Sequence, residues 1–516
     1  MKKLICILLC VASLVCLLPG CSNNGDSYTP TGNGLSKEDD LLAPEPPSDP
    51  KVQELSLIYY AEKSMNPYLC TDYTNRALFG LIYQSLFTVD REYNVEPMLC
   101  KQFTVSADMR SYTFYIENAT FSDGSVLTEA DVATSLMAAK DSPVYGGRFT
   151  HIKDILAVSG GVTINLSTPM EELPLLLDIP ILKASQVAMD RPLGTGPYML
   201  DETGSAGVLR RRDNWWCNAR MTVTANAISL VKATDNAQIR DNFEFNGLSL
   251  VCADPGSDKY ADYRCDYELW DCENNIFLYL ACNMESEIFS NTTVRSALPY
   301  CVDRDYMVEN FYRGFARAAA LPASPLARCY NDTLAGRYGY DQGAALKKAL
   351  SDEGMVGKEM ILLVNSDDSL RVRVARRIAE VFTAAGLVVT VKAVSTSSYT
   401  RALQRGEYDL YLGQTKLSPN MDLSAFFNSS GNLSYGSLGD VALYTMCTEA
   451  LANYGNFYTL HQNVMNDGRL VPILVRSYAV YAIRGLLTGL TPARDNIFYY
   501  SLGKSMSGAK LETPSS

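Results

Sequence analysis

Between residues 360 and 412 the chain alternates strand and helix patterns with short connections. Residues 360–364 form an apolar run, and Ser366 and Asp367 are cap candidates for a helix over 370–385 that Gly386 closes. Residues 387–394 read as the next strand, 398–404 as a helix and 408–412 as a third strand. A β-α-β-α-β order of this kind predicts a parallel or mostly parallel sheet with helices on its faces. Ligands collect beyond the carboxyl ends of such strands, which places the first candidate site residue at Gln414.

A chain of 516 residues exceeds what one hydrophobic core usually holds, so two large lobes are expected. The first half adds strand patterns at 54–60, 112–116 and 162–166, a helical pattern at 75–86, and a turn at Ser122-Asp123-Gly124. Thr128, with Asp131 three residues on, has the spacing of a capping box. The formal net charge of −12 disfavours a phosphate backbone as partner, so nucleic acid is excluded.

The amino terminus carries its own signal. Lys2 and Lys3 precede an apolar run from Leu4 to Leu18 that ends in Leu18-Pro19-Gly20-Cys21. About 15 apolar residues suit a secretory leader and are short for a membrane span. Residues 1–20 are therefore expected to be removed. The small residue before Cys21 resembles a bacterial lipobox, which implies a lipid on the Cys21 thiol and a location on the extracytoplasmic face of the cell membrane. Residues 21–50 are polar and rich in Gly, Pro, Ser and Asp, as a flexible tether would be.

Of 14 cysteines, Cys6, Cys10 and Cys16 fall in the leader and no C-x-x-C pair occurs among the rest, so the spacing of a structural zinc site is lacking. Cys265 and Cys272 are the pair most expected to form a disulfide. The only histidines are His151 and His461, which leaves little for a Ser-His-Asp triad or a histidine-rich metal site. His461 reads as a helix-surface residue, and Trp215-Trp216 as core packing. Gly194-Thr195-Gly196, Gly503-Lys504-Ser505 and Ser507-Gly508-Ala509-Lys510 each lack part of the phosphate-loop, dinucleotide or nucleophile context that they superficially match.

Positive signals lie elsewhere. Phe121-Ser122-Asp123-Gly124 followed by Leu127-Thr128-Glu129-Ala130-Asp131-Val132 resembles a segment of the family 5 extracellular solute-binding proteins, the family of peptide and nickel receptors. Four further pieces follow in that family's order: Gly194-Thr195-Gly196-Pro197-Tyr198; Arg212-Asp213-Asn214-Trp215-Trp216; Val294-Arg295-Ser296-Ala297-Leu298 with Val302-Asp303-Arg304; and Tyr408-Asp409-Leu410 with Val471-Pro472-Ile473-Leu474. Pro299 departs from the pattern and should end its helix early.

The resemblance implies an α/β, two-lobed periplasmic-binding-protein-like fold of the large peptide-binding class (type II), with a hinge and an interlobe cleft. Lobe I would comprise residues 51–272 plus 471–516, and lobe II residues 273–470. It implies a monomer that captures a small solute, an oligopeptide or other polar molecule, and hands it to an ABC permease and ATPase, without cofactor, metal or catalysis. Implied ligand contacts are Asn66, Tyr68 and Tyr83 from lobe I and Gln414, Lys416 and Asp422 from lobe II. Gln414 and Pro419 replace the tryptophan and first aspartate with which peptide-binding members hold their ligand, and loop surface is the competing reading for Lys416 and Asp422. A sensory or adhesive lipoprotein on the same fold, or a secreted hydrolase, are the rival functions.

Overall fold

Two strands, Tyr267–Cys282 and Leu470–Ile483, are 16 and 14 residues long, against about 5–6 for an average strand. In the computed structural model, which describes residues 55–204, 206–221, 223, 225–256, 263–487 and 490–500, they pair antiparallel from Tyr267↔Ile483 to Ala281↔Leu470. The leader, Cys21, the tether and the tail motifs after residue 500 lie outside the described residues.

These two strands form the middle of a mixed sheet. Leu250–Ala253 pairs with residues 479–482 on one side. On the other, Leu410–Lys416 pairs with residues 276–282, and Glu359–Asn365 and Val388–Val394 continue the sheet in parallel. The expected β-α-β-α-β unit is therefore present, with helices Ser369–Ala385 and Thr396–Arg405 as its crossovers. Its first helix is capped by Asp368, whose carboxylate accepts from Arg371 N, rather than by Ser366 or Asp367. Asp367 instead accepts from the backbone and hydroxyl of Thr396, tying the two helix starts together. Gly386 ends the helix with φ 115°.

Side chains alternate along the long strands, as a period of two demands when both faces are buried. Leu278, Leu280 and Cys282 enter one core, while Phe277, Tyr279 and Ala281 enter another on the opposite face. Toward the other end Val480 and Ala482 join a third core and Ala479 and Tyr481 a fourth. The cores thus separate along the strands. Between the two ends the register shifts from Glu273 to Phe277, and Asn275 takes φ 57°.

The amino-terminal region packs two four-stranded sheets. One runs Leu55–Ile58, Ala227–Val231, Val208–Arg211, Tyr198–Asp201, and the other Cys100–Val105, Ser111–Ile116, Gly161–Leu166, Ile152–Val158. Helix Glu129–Lys140 starts with the capping box of Thr128 and Asp131. Trp215 is buried and donates Nε1–H to Thr195 O, so the first of the paired tryptophans packs the core.

Three expectations are corrected. The single helix over 75–86 is two short ones, Tyr73–Arg76 and Phe79–Ile82, followed by extended backbone at Tyr83. Gly196 N donates to Ile82 O, and this tertiary bond takes the carbonyl that a longer helix would use. His461 is fully buried in helix Phe457–Asp467 instead of on its surface. Cys265 and Cys272 are free thiols: Cys272 lies well inside the strand that begins at Tyr267, and extended chain at about 3.3 Å per residue keeps the two beyond bridging range.

Candidate functional site

The three residues expected from the amino-terminal side hold their own region together. Asn66 is fully buried; its amide donates to Val187 O and Met189 O, both at 2.8 Å, and its Oδ1 accepts from Tyr68 N at 3.0 Å. The Tyr68 hydroxyl donates to Pro180 O at 2.6 Å, and that of Tyr83 to Met65 O at 2.8 Å. Burial pushes both phenols far above their ordinary pKa. A polar group already satisfied within its own fold has little left for a ligand, although the Tyr83 ring still forms cavity wall.

The residues expected from the other side reach across. Lys416 makes an ion pair with Asp495, and Asp422 Oδ2 meets His151 Nε2 at 3.1 Å. Lys416 and Asp422 line one cavity of about 290 Å³ whose facing wall is Pro143, Val144, Arg148 and Thr150. Gln414 lies within its strand rather than beyond it, and its Oε1 accepts from Arg476 at 3.1 Å while Arg476 grips Asp254 through two contacts, 2.7 and 3.0 Å. Lys416 and Asp422 are therefore brought together, and Gln414 stands apart from them.

Arg148 also forms part of a second, tighter cavity of about 90 Å³, lined by Arg76, Tyr83, Tyr145, Asp178, Arg494 and Asp495 among others. Asp178 lies between two guanidiniums, paired with Arg148 and, at 3.0 Å, with Arg494. Burial alone would raise its carboxyl, but the two arginines outweigh it and hold it below the ordinary range. Burial lowers the Lys416 ammonium, an effect that Asp495 only partly offsets. For Asp422 the same opposition runs the other way: burial raises, and the His151 hydrogen bond and charge bring it below its usual value.

Chain geometry explains why these charges meet. Gly80 lets the short helix Phe79–Ile82 press onto the carboxy-terminal segment, since a Cβ there would stand 2.3 Å from Asn496 Oδ1. Asp495 N donates to Glu273 O at 2.9 Å, which fixes the same segment to the long strand at its register shift. Glu273 is itself buried; it accepts from Tyr93 and Ser324, and burial raises its carboxyl. Sequence reading missed Arg76, Arg148, Asp178, Arg494 and Asp495. Arg76, Arg148 and Asp178 are single charges in unremarkable stretches and Arg494-Asp495 is one adjacent pair; the nearest signal is Arg148 within the aromatic and glycine-rich run Tyr145-Gly146-Gly147-Arg148-Phe149.

His151 also meets Ser424 Oγ, at 3.3 Å, which superficially assembles serine, histidine and aspartate. Both partners share Nε2, whereas a relay needs the carboxylate on Nδ1 and the nucleophile on Nε2. His461 has no hydrogen-bond partner among the described residues, and burial lowers its pKa to about 3. The chemistry these walls support is recognition: charged and polar groups from two packing regions facing adjoining, partly open cavities.

Comparison with known proteins places this geometry. The pattern described as bacterial extracellular solute-binding proteins, family 5 Middle, matches residues 94–435. The glutathione-binding protein GsiB of Escherichia coli K12 is 24% identical over 281 residues, covering 50% of this chain and 53% of that protein, so the chain spans about half the length of the curated relatives it matches. Among solved structures, the ABC transporter substrate-binding protein CtaP of Listeria monocytogenes superposes with a TM-score of 0.71 at 17% identity, covering 86% of this chain and 98% of that one. A putative peptide-binding protein AppA of Clostridium difficile gives 0.72 at 16% identity, covering 87% and 99%. The fold is accordingly the mixed α/β, two-lobed class of these binding proteins. With the family pattern matched over residues 94–435, the chain belongs to the family 5 bacterial extracellular solute-binding proteins.

Proposed function

We propose that the protein is the substrate-binding component of an ABC importer, capturing one small polar solute between its lobes and presenting it to a membrane permease and its ATPase. Lobe I is residues 51–272 with 471–516 and lobe II is residues 273–470; what supports that division is the separation of cores on either side of the register shift at Glu273–Phe277. The observation that carries the reading is the cavity walled by Lys416 and Asp422 from one side and Arg148 from the other. Closure over a ligand needs no bond chemistry; differential affinity for the closed state is the signal that a permease reads. The glutathione and peptide relatives support a solute of oligopeptide size.

Titration calorimetry on the processed protein is expected to find a saturable ligand with one-to-one stoichiometry, and Lys416→Ala with Asp422→Ala to weaken it. Binding unchanged in the double variant sinks the site. The leader supports anchoring at Cys21 on the outer face of the cell membrane, where a lipid and tether raise the effective concentration near the permease. Cys21→Ser is expected to release the protein into the medium; retention in the membrane fraction refutes the anchor.

A further inference from the structure

The lobes also touch where no cavity intervenes. Strand Gly161–Leu166 is followed by a segment, 167–177, that is fastened to lobe I: Met170 N donates to Met109 O at 3.2 Å, the Tyr112 hydroxyl to Met170 O at 2.6 Å, and Arg148 to Leu176 O at 3.2 Å. From that footing Glu171 reaches lobe II twice. Its N–H donates to Leu451 O at 2.8 Å, and its Oε2 accepts from Tyr454 N, also at 2.8 Å. Beside it Glu172 pairs with Arg328 at 3.0 Å, and the Arg328 guanidinium lies 5.5 Å from the Tyr454 ring centroid.

Local chemistry explains why Glu171 fits here. Leu451 is next to last in helix Val441–Ala452, and Tyr454 begins the 3-10 turn Tyr454–Asn456. Carbonyls of a last helical turn and N–H groups of a first one lack partners within their own helix, so this junction offers an acceptor and a donor side by side. The apolar contacts are reciprocal. Leu175 of lobe I is buried in the core that holds Phe426 and Phe457 of lobe II, whereas Leu451 of lobe II is buried in the core that holds Tyr112 and Leu173 of lobe I. Separating the lobes therefore returns two leucines, an amide and a carbonyl to water. The ion pair adds little by itself, since half of the Arg328 side chain is exposed. None of Glu171, Glu172, Leu175, Arg328, Leu451 and Tyr454 lines either cavity.

We propose that these residues form a latch that holds the lobes together without help from the solute, so that the closed state is favoured in the free protein and the cleft admits a solute only while the latch is open. A contact outside the cavities contributes equally to the free and the occupied closed states, so the latch sets how often the cleft is accessible and not which solute it takes. This rests on the two-lobed binding reading above and goes beyond it.

Amide hydrogen exchange on the full processed chain, refolded from guanidinium chloride to strip bound solutes, tests it without any ligand. The Glu171 and Tyr454 amides bond across the lobes, whereas their neighbours Met170 and Asn453 bond within their own lobes, to Met109 O and Glu449 O. Both cross-lobe amides are expected to exchange at least about 10-fold slower than unstructured peptide and at least about 10-fold faster than the core amides of Phe114 and Leu412. Arg328→Glu sets a third carboxylate beside Glu171 and Glu172; it should speed both cross-lobe amides about 5- to 10-fold and leave Met170 and Asn453 unchanged. Adding Glu172→Arg to it should restore the parental rate. Peptide-like exchange in the parent would show lobes that stand apart, core-like exchange a permanent interface, and acceleration shared by Met170 and Asn453 a fraying segment; each overturns the latch, as does a charge swap that fails to rescue. Any of these leaves the cleft reading intact, because the calorimetric test above decides that reading separately.

Discussion

The two sides of the cavity use polar side chains in opposite ways. On the amino-terminal side, Asn66, Tyr68 and Tyr83 direct their polar atoms to carbonyls and an amide of their own region, 189, 180 and 65 among them. On the other side, Lys416 and Asp422 direct theirs across the gap, to Asp495 and His151. Position in a family-like motif selected both sets equally well. Hydrogen-bond satisfaction separates them: one set builds a wall, and the other is available to respond when the gap opens.

Acid gives the largest expected break in that symmetry. None of Asn66, Tyr68 and Tyr83 ionises between pH 3 and 8, whereas the second side contains His461 and Asp422. His461 is held neutral by burial, with a folded pKa of about 3 against 6.5, so the unfolded state binds the extra proton and stability falls as pH drops through that window. At about 1.4 kcal/mol per pH unit the loss reaches several kcal/mol. Denaturant unfolding from pH 7 to 4 should show that slope, hydrogen exchange should open helix Phe457–Asp467 before the Asn66 turn, and His461→Phe should flatten the curve. Asp422 has a lowered folded pKa, so its contribution is present above the ordinary carboxyl value and is lost only as pH falls below about 4. If the Asn66 turn opens first, the contrast is wrong.

Next in size is Asn66→Ala, which removes three side-chain hydrogen bonds, one buried and two partly buried, and takes a donor from the carbonyls of Val187 and Met189. A stability loss of about 3 kcal/mol is expected in urea unfolding, with ligand affinity of the folded fraction unchanged. Lower affinity at full stability would make Asn66 a ligand contact after all. Lys416→Met should do the reverse, weakening ligand by about tenfold while changing stability by about 1 kcal/mol or less, since its ion pair joins the two sides instead of building either. The smallest effect belongs to the thiols. Cys265→Ser, or added reductant, should move stability by about 0.5 kcal/mol at most, because Cys265 and Cys272 are unbridged. A drop of 2 kcal/mol or more on reduction would restore the disulfide.

Much of the scaffold was legible because its signals are local. The capping box of Thr128 and Asp131, the closing role of Gly386 and the alternation in residues 359–412 depend on neighbours a few positions away. Pro299 also behaved locally: helix Thr292–Ser296 stops and a single 3-10 turn, Leu298–Cys301, follows. The failures share a different cause. The helix expected over 75–86 is cut by a bond from Gly196, and the pattern of helix Phe457–Asp467 conceals that His461 faces inward. The arginines of the small cavity come from positions 76, 148 and 494, with no motif linking them, and only the folded chain shows that they converge. Local chemistry marks where backbone turns, but charge pairing at long range decides which groups remain for a ligand.

The strand Leu470–Ile483 sits between Leu250–Ala253 and Tyr267–Cys282, and residues from it enter cores at both of its ends. Ile497 completes the first of those cores, whose earliest member is Leu57. The two four-stranded sheets of the amino-terminal region are complete by residue 231, but the mixed sheet and the first core cannot close until nearly the whole chain has emerged. Contacts so distant in sequence slow folding. Family 5 solute-binding proteins are extracytoplasmic, and a central sheet whose last strand comes from the carboxy-terminal part of the chain leaves the middle of such a protein unfinished until late in its synthesis.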